Sequence, residues 1–255
     1  MTPSSPTETA LRAEMVRVGQ RMYDRSLVIG RDGNISARLD DDRILVTPSG
    51  LCKGMMREDE LIVINMQGQR VDTPTDANRH LRPTSEIAMH LEVYRRRPDA
   101  GAVVHAHPPH AIALSIAGVS LADCMLPEAI VFLGLIQTTP YATPSSPENA
   151  AAIRRLIANH DAILLQRHGS LVVGTDPLDA FFKTETLEQI ARVTFMLQLL
   201  GRGDPLPPEQ VQKLLAQREA LGYARPGEAE EFCAVCGVCH PAGQSCPRPA
   251  PPADE

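Results

Sequence analysis

The chain has 255 residues, 43% hydrophobic and 22% charged, with a formal net charge of −6. That is room for one large domain, or one domain with a short appendage, around a sizeable core. The acidic balance without a basic block argues against a nucleic-acid partner, and no apolar run is long enough to span a membrane. The opening Met1-Thr2-Pro3-Ser4-Ser5-Pro6 lacks the charged start and apolar stretch of a signal peptide. A cytoplasmic protein that avoids membranes is therefore expected. Tryptophan is absent, so Leu, Ile, Val, Ala and Met must build the core.

In chain order, Leu11, Met15, Val18 and Met22 recur at helical spacing and predict a helix from Thr7 toward Arg25. Gly30 to Ser36 reads as turn-rich. Arg43 to Thr47 reads as a strand closed by Pro48-Ser49-Gly50, and Leu61 to Asn65 as another, followed by the turn Gln67-Gly68. Pro83-Thr84-Ser85-Glu86 opens a helix running to Arg96. Strands and helices then alternate, a long helix covers Pro177 to Leu200, and another covers Pro208 to Leu221. From Pro226 onward the composition turns to Pro, Gly, Ala and Cys without an apolar period. The expected organisation is a domain over 1–225 and a Cys/Pro-rich tail over 226–255. The mixture predicts a three-layer α/β domain with helices covering a sheet, its strand directions left open by the short connections.

Chemistry concentrates at His105-Ala106-His107, which closes the apolar run Gly101-Ala102-Val103-Val104. Residues two apart in a strand share a face, so both imidazoles can grip one divalent ion. His168 stands in a similar context, after Ala162-Ile163-Leu164-Leu165. Three nitrogens leave one position open, as in a catalytic rather than a structural zinc site. Pro83-Thr84-Ser85-Glu86 reads either as an ordinary capped helix or as a phosphate-receiving helix start, with Glu86 aimed at the same pocket. Asp32-Gly33-Asn34-Ile35-Ser36 and Thr47-Pro48-Ser49-Gly50 are small polar turns that can bring backbone N–H groups to an anion. Among the other histidines, His110 reads as a packing or helix-start residue. His90, one turn after Glu86, reads as a buried hydrogen-bonded residue or as a group that orients Glu86. His80 and His160 read as loop residues.

In this order, Gly33-Asn34-Ile35-Ser36, Thr47-Pro48-Ser49-Gly50, Thr84-Ser85-Glu86, His105-Ala106-His107 and His168-Gly169 resemble the class II aldolase/adducin family. Arg97-Pro98-Asp99-Ala100 and Pro140-Tyr141-Ala142-Thr143 fit it too, and the resemblance runs from Leu11 to Gly222. It is closest to the zinc-dependent aldolases of L-fuculose 1-phosphate. It implies a three-layer α/β/α fold with a mostly antiparallel sheet, and a homotetramer with active sites at subunit interfaces. It implies Zn²⁺ on His105, His107, His168 and Glu86, with Glu86 also the general acid/base. Gly33, Asn34, Ser49, Gly50, Thr84 and Ser85 would bind the substrate phosphate. The implied reaction is reversible cleavage of a ketose 1-phosphate to dihydroxyacetone phosphate and an aldehyde. A pentulose-phosphate 4-epimerase, a decarboxylase, a dehydratase or a non-catalytic adducin-like scaffold are the alternatives. The family's aldehyde-side tyrosine, in the segment after the histidine pair, aligns with Leu126. Tyr223 approximates a second family tyrosine, and Glu128 is a candidate substitute acid or a solvated residue.

The tail lies outside this resemblance. Cys233, Cys236, Cys239 and Cys246 are candidate ligands of a second metal, zinc ahead of an iron–sulfur cluster, or the reduced thiols of a tail without structure. Cys52 and Cys124 are expected as isolated reduced thiols.

Overall fold

A computed structural model describes residues 7–201 and 203–236. The helices are α1 (Glu8–Asp24), α2 (Ile87–Arg96), α3 (Pro109–Ala117), α4 (Pro147–Ile157), α5 (Pro177–Leu200), α6 (Pro208–Ala220) and α7 (Glu228–Cys236). The strands are β1 (Asn34–Arg38), β2 (Arg43–Val46), β3 (Ile62–Asn65), β4 (Ala102–Ala106), β5 (Gln137–Thr139), β6 (Ala162–Leu165) and β7 (Gly169–Gly174). They form one sheet in the order β3-β2-β1-β4-β7-β6-β5. Every neighbouring pair is antiparallel except β5 with β6, so the sheet is mixed and mostly antiparallel. Among the described residues, no helix is long and apolar enough to cross a membrane.

Alternation along the strands separates two cores. Ile35 and Ala37 of β1 and Ala102, Val104 and Ala106 of β4 face α1 and the start of α5, against Met15, Met22 and Phe181. Val103 of β4, with Ile163, Leu171 and Val173, faces α2 and α4, against Met89, Val93 and Ile153. The sheet thus lies between two helical layers, as expected. Glu92 on α2 accepts from Arg154 Nε at 2.9 Å and from Arg96 Nε at 3.1 Å, which draws α4 against α2.

Three expectations need correction. Gly30 to Ser36 is not all turn: β1 begins at Asn34. Its apolar residues face one core, while Asn34 and Ser36 face the α2 side, where their polar groups find partners, so the segment lacks the signature of a buried strand. Of the two readings of the segment from Pro226, a tail without structure gives way to a small appendage: α7 buries Phe232 completely, beside Val211 of α6 and Ile130. The helix is short and offers one buried aromatic, too little for a readable period. Packing and an ion pair also cross the expected boundary, since Arg218 Nε donates to Glu228 at 2.9 Å. Finally, Cys124 is not isolated. It forms a disulfide with Cys236 across a sequence separation of 112 residues. Cys52 is free as expected, and Cys239 and Cys246 lie outside the described residues.

Phe181 is 1% exposed where α5 crosses the first core. Phe181→Ala is expected to cost about 3–5 kcal/mol, as lost burial plus an unfilled cavity. Chemical denaturation would measure this, and a loss under about 1 kcal/mol would show that this contact does not hold the layer.

Candidate active site

The three histidines come from two neighbouring strand ends. His105 lies on β4, with Leu171 of β7 and Asn34 of β1 as its cross-strand partners. His107 sits just beyond β4, its backbone N–H donating to the Leu27 carbonyl at 2.8 Å. His168 is the last residue of the three-residue loop joining β6 to β7, where Leu165 pairs with Gly169. Arg167 before it takes a positive φ of 61°, which swings the loop over the β4 end. A ligand atom from each of His105, His107 and His168 lies within 4.8 Å of the others.

The hydrogen bonds fix which nitrogens face inward. His105 Nδ1 lies 2.8 Å from the Ser170 carbonyl, which can only accept, so Nδ1 carries the proton. His107 Nδ1 faces the Asp32 carboxylate at 3.4 Å, so its proton is assigned there too. The Nε2 atoms of His105 and His107 then face each other at 3.0 Å, and Glu86 Oε2 faces the same His105 nitrogen. Burial, helped by its histidine neighbours, lowers His168 to about 4, and burial likewise lowers His107. Burial thus favours the neutral form of these two rings, and ring nitrogens that converge from three histidines suit a shared cation. The carbonyl and carboxylate behind two of the rings are the supports that metal-binding histidines use.

Glu86 stands against this cluster as the N-cap residue of α2. Its Oε2 is 3.0 Å from His105 Nε2, and its Oε1 is 3.5 Å from His168 Nε2. Burial raises its pKa, but His105, assisted by His168 and the Asn34 amide, outweighs this and holds the carboxyl well below the usual range. Asn34 Nδ2 donates to Oε2 at 3.0 Å, and Asn149 Nδ2 of α4 approaches Oε1 at 3.4 Å. The Asn34 side chain, in one of the expected anion-binding turns, is thus engaged with Glu86.

A buried chain of hydrogen bonds leads into Asn34. Because its Nδ2 donates to Glu86, its Oδ1 accepts from His90 Nε2. His90 Nδ1 then accepts from Ser36 Oγ at 2.7 Å, and Ser36 Oγ accepts from the Tyr94 hydroxyl at 2.8 Å. The polarity runs one way, from Tyr94 to the carboxylate. Burial first, then His105, lowers His90 to about 3, so it stays neutral.

The remaining loops assemble beside Glu86. Pro48 bridges Pro83, Ser49 N–H donates to the Arg82 carbonyl at 2.8 Å, and Thr84 N–H to the Thr47 carbonyl at 3.2 Å. Thr47 is tied to β1 through Ile35, whose N–H donates to Thr47 Oγ1 at 3.1 Å. The segments with Gly33, Ser49, Gly50, Thr84 and Ser85 therefore meet at one end of the sheet. Ser85 is exposed, and its hydroxyl accepts from Ser145 Oγ at 3.0 Å. Gly33 has φ +69°, and a Cβ there would lie 2.8 Å from the His105 carbonyl oxygen. Of the other weighed residues, His110 Nδ1 meets Glu188 of α5 at 2.6 Å, a packing role. Leu126 packs against the core near α3 and α5, and Glu128 is exposed. Asp32, Ser170, Asn149 and Tyr94 were missed. Asp32 stands in a quoted turn beside Gly33, but nothing in the local pattern marks the other three.

Gly169 is the tightest point. An added Cβ would lie 2.2 Å from the Ala106 carbonyl oxygen, 3.0 Å from His107 and 3.2 Å from His105. Gly169→Ala is expected to spread the histidines and weaken divalent-ion binding by at least about tenfold, roughly 1.4 kcal/mol. Zinc titration of the folded variant would measure this, and unchanged affinity would show that the approach is not needed. For His90, the folded pKa lies below the unfolded value of about 6.5, so the unfolded chain binds the extra proton. Stability should therefore fall as pH drops from about 6.5 toward 3. His90→Asn should flatten that part of a melting-temperature profile, and an unchanged slope would remove His90 as the cause.

Residues 13–195 match the Class II Aldolase and Adducin N-terminal domain. A 3-oxo-tetronate 4-phosphate decarboxylase of Haemophilus influenzae is 34% identical over 196 residues, 75% of this chain and 90% of that protein. An L-fuculose phosphate aldolase of Methanococcus vannielii is 32% identical over 184 residues, 72% of this chain and 95% of that protein. Among solved structures, YgbL of Klebsiella pneumoniae superposes with a TM-score of 0.74 at 31% identity, covering 82% of this chain and 99% of its own. An L-fuculose 1-phosphate aldolase superposes with a TM-score of 0.72 at 25% identity, covering 82% of this chain and 96% of its own. Sequence and fold agree that the chain belongs to the class II aldolase and adducin family, whose relatives here are aldolases and decarboxylases.

Proposed function

We propose that the protein is a lyase that breaks a carbon–carbon bond of a phosphorylated keto substrate and leaves the enediolate of dihydroxyacetone phosphate. The observation that carries this is the meeting of three imidazoles with the ionised Glu86 carboxylate at the end of the sheet where the polar loops gather. His105, His107 and His168 would hold a divalent ion, for which their nitrogens suit zinc. Such an ion supplies Lewis acidity for the negative charge that builds on the enediolate oxygens. Gly33, Ser49, Gly50, Thr84 and Ser85 would fix the phosphate and so orient the scissile bond. Glu86 stands where it could bind the ion at rest and, once substrate displaces it, take up a proton from solvent and pass it to the carbon that lost its partner. Asn34, held by His90, and Asn149 keep that carboxylate aimed.

The leaving fragment is the second question. Cleaving a ketose 1-phosphate requires a base for the hydroxyl proton of the departing aldehyde carbon. Decarboxylating a 3-keto acid phosphate requires none, because the carboxylate leaves as CO₂ and its bonding electrons flow to the ketone. Either route gives the same enediolate, and protonation at carbon gives dihydroxyacetone phosphate. Leu126 carries no proton donor or acceptor on its side chain where the aldolases' tyrosine aligns, and two other decarboxylase relatives are 30% and 35% identical. These favour CO₂ over an aldehyde, with the fuculose-phosphate-type aldol cleavage as the second reading, on the strength of the aldolase relatives. We place the enzyme in the cytoplasm as a homotetramer. Exposed apolar residues on α5, among them Met196, Leu199 and Leu200, support an assembly surface.

The test is a panel of keto-acid 4-phosphates and ketose 1-phosphates, with release of dihydroxyacetone phosphate and of CO₂ followed together. Equal amounts of both products from the keto acid are expected, at least about tenfold faster than from any ketose. Faster ketose cleavage would establish the aldolase reading, and epimerisation without cleavage would overturn both. Glu86→Gln should keep the fold and lose about 10²–10⁴-fold in turnover. Removing divalent ions with a chelator should abolish turnover, and zinc should restore it. Full activity after verified metal removal would contradict the assignment of the histidines.

A further inference from the structure

A second cluster of metal-binding side chains lies away from the histidines. Cys124 is 3% exposed in an apolar cluster with Ala122, Ile130, Leu135, Val211 and Phe232, and Cys233 and Cys236 pack against the same cluster. The last two stand three residues apart on α7, so they project from the same side of that helix. The Cα atoms of Cys124 and Cys236 are 6.0 Å apart and their sulfurs are bonded. The sulfur of Cys233 is likewise in a disulfide. Three cysteines, from chain segments more than a hundred residues apart, therefore pack against one apolar cluster.

The run Cys233-x₂-Cys236-x₂-Cys239-His240 has the ligand spacing of structural zinc sites. Its continuation past Cys236 lies outside the described residues. Helix α7 also needs a cross-link. It buries one large side chain, Phe232, so burial alone does not offset the ordering of nine residues. A disulfide uses two sulfurs, whereas a zinc-class ion uses all that converge. We propose that Cys124, Cys233 and Cys236, as thiolates, are donors of a second, structural site for one zinc-class ion. Cys124 is the donor that clamps α7 to the 122–135 segment. That segment carries Leu126 and is held further by the Leu206 N–H, which donates to the Cys124 carbonyl at 2.8 Å, and by Arg218, which donates to the Val131 carbonyl at 2.8 Å.

The experiment uses the full chain treated with dithiothreitol. The reagent supplies two electrons and two protons to each disulfide and is itself oxidised to its cyclic disulfide. The protein is then loaded with cobalt(II) or zinc. A thiolate-to-cobalt charge-transfer band is expected in the wild-type chain and in His168→Ala, with at least half its intensity lost in Cys124→Ser. Zinc is expected to shield Cys124, Cys233 and Cys236 from alkylation, located by peptide mapping, and to leave the labelling of Cys52 unchanged. A wild-type chain without the band, a band unchanged in Cys124→Ser, or cysteines that label equally with and without zinc would each overturn the proposal. So would acid-labile sulfide with bound iron, which would indicate a cluster. The wild-type spectrum and mapping decide the matter even if a cysteine variant fails to fold. Loss of this site with the histidine site intact would leave the proposed lyase chemistry standing.

Discussion

Two imidazole nitrogens facing each other at 3.0 Å, with a carboxylate against one of them, set the terms for this molecule. The Ser170 carbonyl fixes the proton of His105 on the outer nitrogen, and the Asp32 carboxylate does the same for His107. Burial keeps His168 neutral beside them. A divalent cation would be held by one nitrogen from each of the three rings, and the adjacent Glu86 carboxylate would balance part of its charge.

The sheet makes this arrangement with little machinery. Asn34 pairs with His105 in register, so one polar stripe crosses β1 and β4 on the face that α2 covers. Helix α2 supplies Glu86 at its first turn, then His90 and Tyr94 at successive four-residue steps on the same side. Ser36 and Asn34 complete the chain of hydrogen bonds from the strand side. Every member of this buried network has a partner of the correct polarity, which is the condition under which such networks add order instead of cost. The same face carries the apolar contacts of Val103 and Met89, so packing and site orientation are fixed by one interface.

The sequence is legible where a single physical demand shapes it. Leu11, Met15, Val18 and Met22 answer only to burial, and the helix they mark is present with those four residues buried. The histidine pair is legible because a strand places residues two apart on one side. The first strand was obscured because Asn34 and Ser36 answer to the buried hydrogen-bond chain instead of to the core. Asn149 was invisible for a similar reason: it is one polar residue in an amphipathic helix, and only the fold brings it to Glu86. Helix α7 was missed because thiols and one phenyl ring, not an apolar stripe, hold it in place. The Cys124 contact could not be read, since no local pattern reports a partner 112 residues away.

The central claim is that His105, His107 and His168 together hold one divalent ion beside Glu86. Crystals of zinc-loaded protein, with anomalous diffraction measured on both sides of the zinc absorption edge, test it most directly. The account requires an anomalous peak about 2.0–2.1 Å from one nitrogen of each of the three rings. An edge-specific map that is empty at that point, in crystals whose protein carries zinc elsewhere, would contradict it.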